Sequence, residues 1–412
     1  VKLEERLGML RSPEARPTLD QLRQRMAAIL GRPLDAPPLP RVEREPADPG
    51  RTLLPFVFTE TEHGPLYRRA EHVGRSRRVG RVGLDESLCA RTEILALLAL
   101  DPALESVDLA RALFLDTETT GLGTGAGVLA FLVGLGWFED DGGFVMEQLL
   151  LRQPGEERAM LELLHERFER ASVIVTFNGK TFDLPVLATR NVMNHRSAFP
   201  ARPHLDLLHV ARRLHKKRLS ACNLGSLESF VLGYERCPDI AGAEVAARYA
   251  HFLRTGDEEA LRAVIDHNEM DVLSMVALVG LYGEPIERLH DDDLAWLAET
   301  FRRAKALDYA SEVADRAVTR TGGAVDARRI ASRVARARGD RHRALRELEA
   351  IAEDIDDPGV RLELVKLYEH HVKEPLKALA VLDQGTGESE EAEGRRRLRL
   401  HKKLTKQQRK AP

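Results

Sequence analysis

The chain predicts an α/β domain on a mixed sheet with flanking helices, followed by an all-α region, and three observations carry that reading. Between residues 110 and 200, apolar runs of strand length give way to segments of helical spacing. From there to about residue 280 the pattern is helical. Beyond residue 290, Ala310, Ala344 and Ala378 recur at a period of 34 residues within helical text.

Residues 1–105 read as an N-terminal extension. It opens on a helix-like stretch, and APPLPRVEREPADPG is the proline-rich text of a loop or linker. TLLPFVFTETEHGPLYRRAEH reads as the start of a small strand-rich piece docked on the domain that follows. RTEILALLALDPAL is a helix leading into the first core strand. Residues 106–285 form the α/β domain. ALFLDTET, GVLAFLVGLGWFED and GGFVMEQLLLR are three successive strands, antiparallel neighbours, with a tight hairpin at the ED-DGG junction. EERAMLELLHERFER is an amphipathic helix, SVIVTF a buried strand and FDLPVLATRNVMN another helix. Residues 290–390 carry the repeats and residues 391–412 a basic tail.

Four acids in three separated motifs point to chemistry. Asp116 and Glu118 lie two apart in FLDTETTGL, so on a strand they face the same side. Adjacent carboxylates repel, and they persist as anions when a cation sits between them. Hard divalent ions such as Mg²⁺ or Mn²⁺ take oxygen donors of this kind. Asp183 follows a strand end in FNGKTFDLP, and His267 and Asp271 in HNEMDVL share one helix face. Two ions held by such acids can activate water and stabilise a leaving oxygen in phosphodiester cleavage, and a histidine can orient or deprotonate the water. Each motif alone also fits an ordinary surface: a solvated hairpin pair, a carboxylate on a helix dipole, an exposed helix face. Their order along the chain favours a shared site.

These motifs resemble the DEDD superfamily of 3′–5′ exonucleases, which adopt the ribonuclease H-like fold. The resemblance covers roughly residues 110 to 280. It implies that Asp116, Glu118, Asp183 and Asp271 bind two Mg²⁺ or Mn²⁺ ions, that His267 is the base, and that Leu122 wedges beside the terminal base. It implies a nucleic-acid 3′ end, of DNA or RNA, as substrate. ACNLGSLESFVLG and DIAGAEVAARYAHFLRTGD are similar to a bacterial YprB-like subgroup of ribonuclease H-like proteins. In one respect the chain departs from the pattern: His267 and Asp271 stand at the spacing of the tyrosine-type members. The competing class is a catalytically idle, ribonuclease H-like binding module that recruits partners through its repeats.

Around these motifs, Asp206 reads as supporting the site indirectly, and Asp266 and Glu269 as solvated charges. Asn178 and Lys180 hold either substrate or the adjacent loop. Thr119 and Thr120 serve a terminal phosphate or a turn. The period of 34 with paired helices is the tetratricopeptide signature, and such arrays present concave surfaces that bind proteins.

Composition sets the outer bounds. The 412 residues suffice for two or three domains, and 43% hydrophobic with 31% charged residues describes a foldable chain. The net charge of −3 does not advertise nucleic-acid binding, but basic residues cluster at 67–82, 211–218 and from Arg395 to Lys410. Cys89, Cys222 and Cys237 show no metal spacing or disulfide framework and suit a reducing compartment. With no membrane-length apolar run and no signal-peptide pattern, cytoplasm is the expected location and no membrane partner is expected.

Overall fold

The computed structural model describes residues 52–409 apart from 75, 122 and 237–239. The helix-like start, the proline-rich linker, Leu122 and Cys237 therefore lie outside the described residues. In chain order the strands are Val57–Thr61 (β1), Gly64–Val73 (β2), Arg78–Val79 (β3), Val82–Gly83 (β4), Ala112–Thr119 (β5), Ala130–Phe138 (β6), Phe144–Leu150 (β7), Val173–Thr176 (β8) and His204–Asp206 (β9). Seven of them make one mixed sheet in the order β1-β2-β7-β6-β5-β8-β9, antiparallel from β1 to β5 and parallel from β5 to β9. The three expected antiparallel neighbours are β5, β6 and β7. Glu139 N–H donates to Gly143 O at 2.9 Å across the hairpin, and Gly142 takes its left-handed φ of 77°.

The strand-rich piece is not a separate unit docked on the domain. β2 pairs with β7 from Tyr67–Leu150 to Val73–Phe144 and extends the central sheet, so the sheet crosses the boundary expected at residue 105. An edge strand exposes unpaired backbone groups, and β2 covers that edge of β7. It also brings Arg68 to the fully buried Glu147 of β7, which accepts from Arg167 at 2.8 and 2.9 Å as well. A buried carboxylate of this kind persists only when paired.

Helices cover both faces. Thr92–Ala99 (α1) precedes β5; Glu157–Arg170 (α2) links β7 to β8, and Asp183–Met193 (α3) links β8 to β9. Leu207–His215 (α4), Leu224–Leu227 (α5, continued by a π-helical turn to Leu232), Gly242–Thr255 (α6) and Glu259–Gly283 (α7) follow. Leu113, Leu115 and Ile174 on one face pack on Met160, Leu164 and Phe168 of α2 and Val186 and Leu187 of α3. Phe114, Val173 and Val175 on the other pack on α7, whose second half is buried on every side. α7 lies close because β6 has glycines on the facing side. A methyl group at Gly134 would stand 2.3 Å from Asn268 Oδ1, and one at Gly136 would stand 2.8 Å from Val272 Cγ1.

After the short Pro285–Arg288 (α8), the described residues continue in helices: Asp291–Arg303 (α9), Leu307–Arg320 (α10), Val325–Arg338 (α11), Arg341–Asp354 (α12), Pro358–Leu367 (α13), Pro375–Leu382 (α14) and Glu390–Gln408 (α15). Each packs on its sequence neighbours. Ala310, Ala344 and Ala378 are fully buried, each one turn into its helix, where only a small side chain lets the next helix approach. The first three of these helices share the core of the α/β domain. The basic stretch at the end is no free tail. It forms α15, whose Leu400 is fully buried and whose Arg396 pairs with Glu369 at 3.1 Å.

Gly136→Val should destabilise the protein by about 1–3 kcal/mol, because the added atoms meet packed neighbours rather than a void. A Cβ there already lies 2.4 Å from Phe144 Cζ. Urea unfolding checks this; a midpoint equal to wild type would show that α7 is not held against β6 as described.

Candidate active site

β5 carries Asp116 and Glu118 to the end of the sheet where β8 and β9 also finish, since the three strands are parallel. Asp183 opens α3 just beyond β8. Thr117 fixes it, donating from its backbone N–H at 3.0 Å and its hydroxyl at 2.6 Å to Asp183 Oδ1. From the opposite face α7 supplies His267, Asn268 and Asp271. Asn268 Nδ2 donates to Asp116 Oδ2 at 2.8 Å, and its own oxygen accepts from Gln148 Nε2 at 2.9 Å. Gly134 stands opposite Asp116 in the ladder, and its missing side chain is the space Asn268 occupies.

The four acids feel one another. Burial drives the Asp116 carboxyl well above its ordinary value, and Asp271, Glu118 and Asp183 each push it further; the Asn268 hydrogen bond opposes them. Burial and then Asp271 raise Glu118 to about 8, against the pull of His267 and Arg236. Asp183 rises to about 6, mainly by burial, with the Thr117 bonds opposing. The sequence-predicted acids thus share one electrostatic cluster formed from β5, α3 and α7.

Sequence reasoning missed Arg236. Its guanidinium bonds Asp271 Oδ1 and the buried Glu228, donates to His267 Nδ1 at 3.1 Å, and so spans the third motif. Guanidinium cannot accept a hydrogen bond, so Nδ1 must present its lone pair and the ring proton belongs on Nε2. Nε2 stands 3.8 Å from Asp271 Oδ2. In this arrangement His267 has no lone pair to offer water, and acting as a base requires Nδ1 to leave Arg236.

The donors are hard carboxylate oxygens in excess of nearby positive charge, which suits a divalent cation. Among the described residues, no three His, Cys, Asp or Glu side chains stand together in a ready-made cage for an ion. Asp271 is already engaged by Arg236. An ion at Asp271 would take the place of that contact.

The supporting residues separate clearly. Asp206 accepts from the backbone N–H groups of Asn178 at 2.9 Å, Lys180 at 3.0 Å and Leu208 at 3.1 Å, so it holds the loop before Asp183 and caps α4. Asn178 sits at φ 71° and accepts from Thr181 at 2.7 Å, a loop role. Thr119 donates to Gly121 O at 2.7 Å, and Thr120 accepts from Leu129 N–H at 3.0 Å, so both hold the turn. Asp266 is exposed, whereas Glu269 is half-buried and pairs with Arg69 at 3.0 Å instead of standing as a solvated charge. Asn268 had a faint signal in the sequence: a polar residue in the inward register of a helix that crosses Gly134-Leu135-Gly136.

Residues 113–282 match the RNase H superfamily. Over 310 residues the chain is 32% identical to the uncharacterized protein YprB of Bacillus subtilis (strain 168), a similarity covering 72% of this chain and 74% of the relative. Among solved structures, the family B DNA polymerase of the hyperthermophilic archaeon Pyrobaculum calidifontis aligns at 14% identity with a TM-score of 0.33. That alignment covers 46% of this chain and 28% of the polymerase.

In chelator, Glu118 and Asp183 bind protons more tightly folded than unfolded. Their contribution to stability is complete below the ordinary carboxylate range and is lost as pH rises through about 6 for Asp183 and about 8 for Glu118. Glu118→Gln, which cannot ionise, should therefore match wild-type Tm in acid and exceed it increasingly as pH approaches 8. A Tm difference independent of pH would contradict the repulsive cluster.

Proposed function

The chain belongs to the family of Bacillus subtilis YprB, built on an RNase H superfamily domain, and on that premise we propose that it is a metal-dependent nuclease removing nucleotides from the 3′ end of DNA or RNA. One observation carries the reading: carboxylates from three separate elements meet where each raises the proton affinity of Asp116. A protein gains nothing structural from such an arrangement, and perturbed acids of this kind gather at functional sites.

Asp116, Glu118, Asp183 and Asp271 would hold one or two Mg²⁺ or Mn²⁺ ions, which when bound supply positive charge for the phosphate and lower the pKa of water. The chain's own residues do the positioning. Thr117 holds one oxygen of Asp183, and Asn268, braced by Gln148, holds one oxygen of Asp116. Each acid thereby keeps its second oxygen directed by a fixed first one. His267, released from Arg236, takes the proton of the attacking water; its place four residues before Asp271 keeps both on one face of α7.

A second reading, an idle nucleic-acid-binding or scaffold module, is favoured by one observation: Arg236 already gives Asp271 a cation. The buried alanines at a period of 34 support reading the C-terminal helices as tetratricopeptide-like in either case, with a protein partner on their surface.

A time course on 3′- and 5′-labelled single strands of DNA and RNA, with Mn²⁺, Mg²⁺ or EDTA, separates the readings. The nuclease reading expects a ladder shortening from the 3′ end that needs metal and is abolished in Asp116→Ala and Asp183→Asn. His267→Ala should slow it by about 10²- to 10⁴-fold. Binding without cleavage would favour the scaffold, and equal cleavage of circular strands would overturn the 3′-end requirement.

A further inference from the structure

Three basic clusters stand out in the sequence, and in two of them most of the described cations are already paired. Arg68, Arg69, Arg78 and Arg81 of the first are engaged by Glu147, Glu71, Glu86 and backbone carbonyls. Arg395, Arg396, Arg397, Arg399 and Lys403 of the last pair with acids of α13 to α15 and the turns between them.

The middle cluster is different. Arg212, Arg213, Lys216 and Lys217, on α4 and just beyond it, line a groove of about 670 Å³ whose other wall is α9, with Trp296 and Arg303. Among the described residues, Arg212, Lys216, Lys217 and Arg303 form no ion pair. The carboxylate lining the groove, Glu299, is already held by Arg302 at 2.7 and 2.8 Å. Arg213 donates to the Leu98 carbonyl at 3.0 Å, and burial, then the neighbouring Arg303, pulls its pKa down. Cations complement the C-terminal dipoles of α4 and α9, but five around one groove exceed what two helix ends use.

The groove is also rigid. His215 Nδ1 bonds Asp293 Oδ2 at 2.8 Å and its Nε2 bonds the Tyr282 hydroxyl at 3.0 Å, all fully buried, which locks α4 to α9 and α7. It starts one turn along α4 from Asp206, whose carboxylate holds the loop leading to Asp183. Lys217 lies over the ring of Trp296 at 5.6 Å, so the wall of the groove combines an aromatic ring with the cations. Positive grooves with an aromatic platform track nucleic-acid strands.

We propose that the α4–α9 groove holds the sugar–phosphate backbone of a nucleic-acid strand whose end lies at the acidic cluster, so that the first C-terminal helix forms one wall of the substrate path. The substrate class rests on the nuclease reading. The groove itself is tested by binding.

The test compares full-length wild type with Arg212→Gln/Lys216→Gln/Lys217→Gln and with Lys402→Gln/Lys406→Gln/Arg409→Gln, which removes the same charge from the exposed side of the last helix and its end. Fluorescein-labelled oligothymidylate is bound in EDTA across a salt series, with thermal melts to show all three folded. The groove variant should lose about ten- to a hundredfold in affinity and reduce the salt slope by about two; the control should match wild type. In Mn²⁺, the groove variant should raise KM on the long strand and leave kcat on a thymidine dinucleotide unchanged. Equal affinity and slope in wild type and groove variant would overturn the proposal, as would an equal loss in the control. Cleavage with unaltered binding in the groove variant sinks the groove alone. Groove-dependent binding without cleavage keeps the groove and sinks the nuclease reading. No binding by wild type would overturn the proposal and leave the groove to an acidic protein segment.

Discussion

The acidic cluster depends on how closely α7 lies on the sheet at Gly134. Asp116 and Glu118 share one face of β5 whatever α7 does. His267, Asn268 and Asp271 meet them only because β6 turns two glycines toward the helix, and a single methyl at Gly134 would occupy the space of the Asn268 amide. The buried second half of α7 then fixes its rotation and its depth, so the core determines which residues of the third motif face the acids.

That closeness is unfavourable in itself. Asp116 and Glu118 are raised by burial and by other acids of the cluster, Asp183 by burial and by Asp206, and the fold tolerates them through specific partners: Asn268, Thr117 and Arg236. Strained electrostatics at a site and well-packed apolar layers elsewhere are two sides of one arrangement. The same logic separates the surface charges. Among the described residues, most arginines answer a buried or neighbouring acid, and the set lining the α4–α9 groove does not.

Much of the framework was legible in the sequence. The apolar runs of strand length gave β5 to β7, the helical spacing gave α2, α3 and the C-terminal helices, and the spacing of Asp116 from Glu118 placed both on one strand face. What escaped had non-local causes. That β2 would join the main sheet depends on the free edge of β7 and on Glu147 needing Arg68 across the ladder, which no local pattern records. Arg236 reads as one charge in a loop, and only folding puts it against residues 31 and 35 positions later. The terminal basic stretch looked like a solvated tail because charge masks the apolar register that buries Leu400.

On the nuclease reading, the converging carboxylates form a cation site that the fold holds together against their own repulsion. Calorimetric titration of Mn²⁺ into the chelator-stripped full-length protein, beside Asp116→Asn, tests it most directly. The account predicts saturable binding by wild type and a loss of at least about tenfold in affinity in the variant, with its fold unchanged. Absent saturable binding, or identical binding by the two proteins, would contradict it.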